Sequence, residues 1–514
     1  MNGAESLVHT LLANGVDTCF TNPGTSEMHF VAALDHIAGM RSVLVLQENV
    51  ATGAADGYYR MTGKPASTLL HLGPGLANGL SNLHNAKKAG SGIVNIIGEH
   101  ASTHIELDAP LTSDIEGIAR PVSHWVHSSK SAQDVGRDAA DAIHAAMVAP
   151  GQIASLILPS DTAWNEGGVA LDAIEMPEPE PFDADQLDTA AAALDGEETL
   201  LLLGGGALTE SNLEIAGRIA AKTGCKILSE WSNARLERGA GRVFINRVPY
   251  PIDIALKVLE PFKRIVLIGA RAPIGFFAYP DKPAILTREG AQITTLANAG
   301  ADLTAALEAL RDATGAEGTP PAHVVEAETP PRPTGPINLD TLAAVIARAI
   351  PQDAIVVDES VTTGRAFSPA TKGAPAHTWL NNCGGSIGYA MPAAIGAAVA
   401  CPDRKVMCMS GDGSAMYTIQ SLWTMARENL DITVLIFANH SYQILRGELT
   451  NVGVGNPGPR AIDMLSLDRP RLDWVQMARG MGVTAQRVDS CEALEAALDD
   501  GLTGGGPNLI EITL

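Results

Sequence analysis

Apolar runs of strand length recur along this chain, each followed by an alanine- and glycine-rich stretch of helical length. No other feature constrains the fold as much. The first runs are Ser42–Leu46, Ala66–His71 and Ile93–Gly98; later come Leu200–Leu203, Ile227–Ser229 and Arg264–Ile268. A strand buried on both faces reads as a continuous apolar run, and a helix between successive strands imposes parallel pairing. The expectation is an α/β protein with parallel sheets covered by helices.

Two breaks interrupt the alternation. Met176–Asp185 is rich in proline and acid, and Thr319–Pro336 holds six prolines, so both are expected as extended surface linkers. They divide the chain into three Rossmann-like domains at 1–175, 186–316 and 337–514, and 514 residues with 46% hydrophobic content exceed what a single core usually serves. The outer two each offer a glycine-rich turn after a strand and then a small-residue helix.

With 35 basic against 58 acidic residues the formal charge is −23, which repels phosphate backbones and anionic bilayers. Neither nucleic acid nor a membrane is an expected partner. Met1–Glu5 shows no basic segment leading an apolar one, and the longest weakly polar run, Ala390–Cys401, is too short to span a bilayer, so a soluble cytoplasmic protein is expected. The six cysteines are scattered without a C-x-x-C pair, which suggests reduced core thiols.

The richest chemistry lies in Lys405–Leu445. Lys405–Ser410 reads as a buried strand, Gly411-Asp412-Gly413 as a tight turn, Tyr417–Asn429 as a helix and Ile432–Ala438 as the next strand. Parallel strands end on the same sheet edge, which brings Asp412 and Asn439 together. A carboxylate, an amide oxygen and a backbone carbonyl from Ser441 suit Mg²⁺, while Gly411 and Gly413 permit close approach and a helix opening near Ser414 offers N–H groups to an anion. Read alone, Gly-Asp-Gly is also compatible with a plain turn.

Together these residues resemble the thiamine-diphosphate enzymes, whose signature is Gly-Asp-Gly followed by Asn-Asn; here Ala438 stands at the first Asn and Asn439 at the second. The resemblance implies that Asp412, Asn439 and the Ser441 carbonyl hold Mg²⁺ against a diphosphate, with Tyr442 beside it. It also places Ile387 of "NNCGGSIGYAMPAAIGAA" (Asn381–Ala398) as an apolar wedge between the cofactor's two rings, with Gly385 allowing close approach. Ile387 is otherwise an ordinary core residue. Glu48, two residues past the run Val43–Leu46, matches the glutamate that hydrogen-bonds the aminopyrimidine ring; burial would keep its carboxyl protonated for that role. The alternative is that Glu48 caps a helix starting at Asn49.

"FTNPGTSEMHFVAAL" (Phe20–Leu34) and "LLHLGPGLANGLSNLHNA" (Leu69–Ala86) narrow the resemblance to the branch of benzoylformate decarboxylase and acetolactate synthase large subunits. It implies a carboxylate-binding hydroxyl at Thr25 and a proton-transferring His71, a residue equally readable as a satisfied histidine at a strand end. Two departures count. "GARAPIGFFAYPDKPAI" (Gly269–Ile285) lacks the histidine that the decarboxylases carry there and has Phe276, Phe277 and Tyr279 instead; nor does an Arg-Phe-Asp-Asp-Arg-like run follow Arg271, which argues against FAD. "LLLGGGALTE" (Leu201–Glu210) has Thr209 where a dinucleotide fingerprint needs its third glycine, which disfavours an NAD dehydrogenase and fits a degenerate middle domain without cofactor.

The resemblance implies thiamine-diphosphate chemistry on a 2-oxo acid, in which CO₂ leaves through carbanion and enamine chemistry supplied by the cofactor. Release of an aldehyde or ligation to a second carbonyl follows. It implies sites shared between chains, hence a homodimer or homotetramer. The rival is a non-catalytic paralogue that keeps the cofactor for an assembly role.

Overall fold

The computed structural model describes residues 1–514, and each apolar run is a strand. The first sheet comprises β1 (Thr18–Thr21), β2 (Arg41–Leu44), β3 (Ala66–Leu70), β4 (Ile93–Glu99), β5 (Trp125–Ser128) and β6 (Ile153–Pro159) in the order β2-β1-β3-β4-β6-β5, all parallel. The second holds β7 (Thr199–Leu203), β8 (Lys226–Ser229), β10 (Asn246–Arg247), β11 (Arg264–Ile268) and β12 (Gln292–Ala297), ordered β10-β8-β7-β11-β12 and also parallel.

The third sheet runs β17-β18-β16-β15-β13-β14-β9. Its strands are β13 (Ile355–Glu359), β14 (His377–Asn381), β15 (Val406–Gly411), β16 (Ile432–Ala438), β17 (Thr484–Val488) and β18 (Asn508–Thr513). The edge strand β9 (Leu236–Arg238) comes from the middle third of the chain and pairs antiparallel with β14. Six of the seven strands are parallel, as the helical crossovers require. Met176–Asp185 and Thr319–Pro336 contain no long element, only short turns and isolated bridges.

A single hydrophobic cluster joins the outer two sheets through helices α1 (Glu48–Thr62) and α3 (Ala390–Ala400). Their small residues explain the fit. A Cβ on Gly57 would collide with the Ala393 carbonyl, and one on Gly396 with that of Ala54, so the two backbones touch where larger side chains would hold them apart. Close-packed interiors tolerate no such intrusion. Helix α2 (Leu72–Ala89) lies alongside α1, with the Thr52 hydroxyl donating to the Gly79 carbonyl at 3.0 Å.

Candidate active site

Glu48 opens α1, one residue earlier than expected, because Gln47 takes the capping position: its Oε1 accepts from the Asn49 N–H at 2.6 Å. The cap is therefore already supplied, and the Glu48 carboxylate points elsewhere. It is 7% exposed, and its Oε2 accepts from Asn78 Nδ2 at 3.0 Å. Gly75 of α2 makes room for it, since a Cβ there would sit 3.1 Å from Glu48 Oε1 and 3.4 Å from the His71 Cβ. Glu48 and His71 thus flank one glycine.

His71 follows β3 and precedes α2, whose first turn contains Gly73-Pro74-Gly75; Pro74 fits there because the first turn needs no N–H from it. The His71 Nδ1 lies 2.8 Å from Glu27 Oε2, a carboxylate 1% exposed. Burial pushes the Glu27 carboxyl up, opposed by the neighbouring His71 and by the Gly24 N–H, which donates to Oε2 at 2.7 Å. A Cβ on Gly24 would collide with the His71 ring, so the loop carrying Thr25 closes directly on the imidazole. Thr25 itself is exposed.

The second group stands at the carboxyl edge of the third sheet. Gly411 still pairs with Phe437 in the β15–β16 ladder, so the expected Gly-Asp-Gly turn is a strand end followed at once by a four-residue helix, Asp412–Ala415. Ser414 lies within that short helix, one residue after Gly413. The expected Tyr417–Asn429 helix is likewise split into Met416–Thr418 and Ser421–Arg427, and the Thr418 hydroxyl donates to the Gly388 carbonyl at 3.0 Å.

Asp412 is 2% exposed, and its oxygens accept from the N–H groups of Gly413 at 2.9 Å and His440 at 2.8 Å. Burial raises its pKa because these donors compensate only partly. Asn439 Oδ1 accepts from the Ser441 N–H at 3.0 Å, and the intervening His440 takes φ 51°, a left-handed turn rare outside glycine. The buried His440 Nδ1 has no hydrogen-bond partner and lies 3.8 Å from Asp412. The Tyr442 ring covers Gly413, where a Cβ would come within 2.6 Å of it.

The loop carrying Gly385 and Ile387 docks on α2. Asn82 Nδ2 donates to the Gly388 carbonyl at 3.2 Å, and Asn85 exchanges bonds with Ser386, donating at 2.8 Å and accepting at 3.1 Å. Its base rests on Glu359 at the end of β13. That carboxylate accepts from the N–H groups of Tyr389 (3.1 Å) and Ala390 (3.3 Å) and from the Ser410 hydroxyl (3.2 Å), while burial pushes its pKa up to about 7. Glu359 therefore ties the Ile387 loop to the strand that delivers Asp412.

Sequence reasoning missed Glu27 and Glu359. An acid three residues after Gly24 carried a signal, because it closes the turn on the Gly24 N–H. Glu359, two residues past the apolar run Ile355–Val357, repeated the placement that singled out Glu48.

The Asp412 group fits a small hard cation: one buried carboxylate without a Lys or Arg on it, with the His440 imidazole 3.8 Å away, and the amide oxygen of Asn439. No three His, Cys, Asp or Glu side chains converge anywhere in the chain, so a cation would rest on a single acid and neutral oxygens. No helix is long and apolar enough to cross a membrane.

Comparison with known proteins gives these two groups a common context. Residues 1–120 match the thiamine pyrophosphate enzyme N-terminal TPP binding domain, and residues 363–512 the corresponding C-terminal TPP binding domain. The chain belongs to the thiamine pyrophosphate enzyme family, whose members are cofactor-dependent enzymes.

Its relatives lie on the branch that the motifs resembled. It is 49% identical over 520 residues to the "Putative acetolactate synthase large subunit IlvX" of Mycobacterium tuberculosis, covering 100% of this chain and 99% of that one. The benzoylformate decarboxylase of Pseudomonas aeruginosa is 28% identical, with 98% and 97% covered. Among solved structures, the thiamine-diphosphate-dependent 4-hydroxybenzoylformate decarboxylase of Rhodococcus jostii RHA1 superposes with a TM-score of 0.85 at 25% identity, covering 100% and 99%.

Proposed function

We propose that this chain is a thiamine-diphosphate- and Mg²⁺-dependent enzyme that decarboxylates 2-oxo acids and then either releases an aldehyde or ligates the remaining fragment to a second carbonyl. The observation that carries the reading is the buried Asp412 just past the end of β15 beside Asn439 just past the end of β16, an oxygen set with no Lys or Arg paired to it. Asp412, Asn439 and the Ser441 carbonyl are assigned to Mg²⁺. Gly411, Gly413, Ser414 and Tyr442 are assigned to the diphosphate arm, and Gly385 and Ile387 to the space between the rings.

Bound there, thiamine diphosphate supplies the electron sink for the bond to the departing carboxylate. The protein supplies position and proton control. Glu48 presents its carboxyl to the aminopyrimidine from a pocket whose one protein donor is Asn78, leaving its other oxygen for the ring. Release of aldehyde consumes one proton for each CO₂ lost, and His71, part-exposed and oriented by Glu27, is placed to deliver it. The Thr25 hydroxyl, carried on the loop against His71, is assigned to the substrate carboxylate.

The proposed domain limits are 1–175, 186–316 and 337–514, supported by one sheet centred in each apart from β9, and no FAD is assigned to the middle unit. Large apolar side chains stand exposed beside the site motifs, among them Met28, Leu46, Tyr417 and Leu445. Exposed apolar surface of that kind marks contact surfaces, which supports a homodimer or homotetramer whose sites are completed by a second chain. A cytoplasmic location fits the acidic, unpaired-cysteine composition.

Supplying cofactor and Mg²⁺ with pyruvate or benzoylformate, each alone and beside an acceptor aldehyde, and reading products by NMR tests the reaction. Glu48→Gln is expected to lower turnover by about 10²–10⁴-fold while cofactor affinity stays within a few-fold. A fully active variant would refute the assignment. A wild-type protein that binds cofactor and turns over no 2-oxo acid would favour the assembly role.

A further inference from the structure

We infer that the aromatic cluster of Trp231, Tyr250, Phe276 and Phe277 is the pocket for the substrate side chain, and that it selects aryl or bulky apolar 2-oxo acids over pyruvate. The inference rests on the reading that Ile387 marks the reacting end of the site. Phe276 lies directly on the loop bearing that residue: Gly385 has φ 78°, and a Cβ there would come within 2.8 Å of Phe276 Cζ. The ring is therefore packed two residues along the loop from Ile387, and a side chain at Gly385 would push it away.

The other rings hold Phe276 in place. Trp231 meets it edge-on at 4.9 Å between centroids, Phe277 at 4.7 Å and Tyr250 at 5.6 Å, distances at which aromatic pairs are favourable. A second tether reaches the opposite side of the site. The Tyr279 hydroxyl donates at 2.7 Å to Glu448 Oε2 on α4 (Gln443–Asn451), the helix that follows Ser441 and Tyr442. The cluster is thus fixed between the Ile387 loop and the segment after Asn439.

It is built of middle-domain residues that the fold does not bury. Phe276 is 37% exposed and Phe277 53%. An open aromatic surface at the rim of a polar site favours an apolar group over a methyl, since pockets of this kind discriminate about 10–200-fold per methylene.

The test uses the enzyme loaded with cofactor and Mg²⁺. kcat/KM for benzoylformate is expected to exceed that for pyruvate at least tenfold, and Phe276→Ala to cut that ratio about tenfold. Calorimetric binding of mandelate and lactate, which carry the same two side chains on unreactive 2-hydroxy acids, measures the selectivity independently of turnover. Mandelate is expected to bind at least tenfold more tightly, with the difference reduced in Phe276→Ala. Should that variant misfold, Phe276→Leu, which keeps apolar bulk, is compared with Phe277→Ala instead. Equal binding of the two acids, or a preference for pyruvate, overturns the pocket while leaving the proposed chemistry intact. Mandelate selectivity without any CO₂ release overturns the chemistry and leaves the pocket standing.

Discussion

Arg60 and Asp56 form an ion pair on α1 that no solvent reaches: the side chains are 1% and 0% exposed. Arg60 Nε and one terminal nitrogen donate to the two Asp56 oxygens at 2.8 and 2.7 Å. The other terminal nitrogen donates to the Asn381 carbonyl at 2.6 Å, the Tyr389 hydroxyl at 2.7 Å and the Ala234 carbonyl at 3.2 Å. One side chain thus pins the first, middle and last thirds together. Arg60→Met keeps the apolar stem but strands a buried carboxylate, and Asp56→Ala strands a buried guanidinium. Breaking such a pair costs about 3–5 kcal/mol. Each single variant is expected to lose that amount in urea denaturation, and Asp56→Ala/Arg60→Met about as much as either alone, because the double variant leaves no uncompensated charge. Losses that add within about 0.5 kcal/mol would show that the residues act independently and would refute the reasoning. A second readout follows from geometry. Asn381 and Tyr389 bracket the Ile387 loop, so Arg60→Met is expected to weaken cofactor binding measurably although Arg60 is assigned no contact with cofactor.

Three further outcomes are expected. Glu27→Gln should lower turnover about 10–100-fold, measured as kcat with cofactor saturating, because His71 loses its charged orienting partner. Asp412→Ala should abolish Mg²⁺-dependent cofactor binding by calorimetry, and chelation with EDTA should do the same to the wild type. Glu359 provides the pH test. Its folded pKa of about 7 lies above the ordinary carboxyl value of 4.5, so the folded state holds its proton more tightly and stability falls as pH rises through that window. At 1.36 kcal/mol per unit the loss approaches about 3 kcal/mol. The stability difference between wild type and Glu359→Gln, followed by urea denaturation from pH 4 to 8, should shift by roughly that amount in favour of the variant; a flat difference would contradict it.

Much of this was legible in the sequence where short-range pattern and physics agree. The continuous apolar runs announced buried parallel strands, and the β15–β16 crossover announced the meeting of Asp412 and Asn439. Legibility failed where distant partners decide the geometry. Gly411 reads as a turn residue, yet Phe437 on the neighbouring strand keeps it in the ladder. The Glu27–His71 pair joins segments whose relation only the β1–β3 register reveals, since Thr21 is level with Leu69. Residues Leu236–Arg238 are too few to announce a strand, and nothing local says that they belong to another third's sheet.

That last displacement bears on how the protein could be taken apart. β9 covers the outer edge of β14 with three residues, and the Glu237 carboxylate accepts from the Thr378 hydroxyl at 3.1 Å. A fragment cut at residue 337 would carry every Mg²⁺ and diphosphate residue assigned above, yet expose an unpaired strand with its hydrogen-bonding groups open to any passing chain. Such a fragment is expected to self-associate, and an excised middle third would keep a dangling strand with no sheet to join. Severing the linker around Thr319–Pro336 while keeping both pieces together is the gentler dissection: β9 would then act as a clasp, and the halves should copurify.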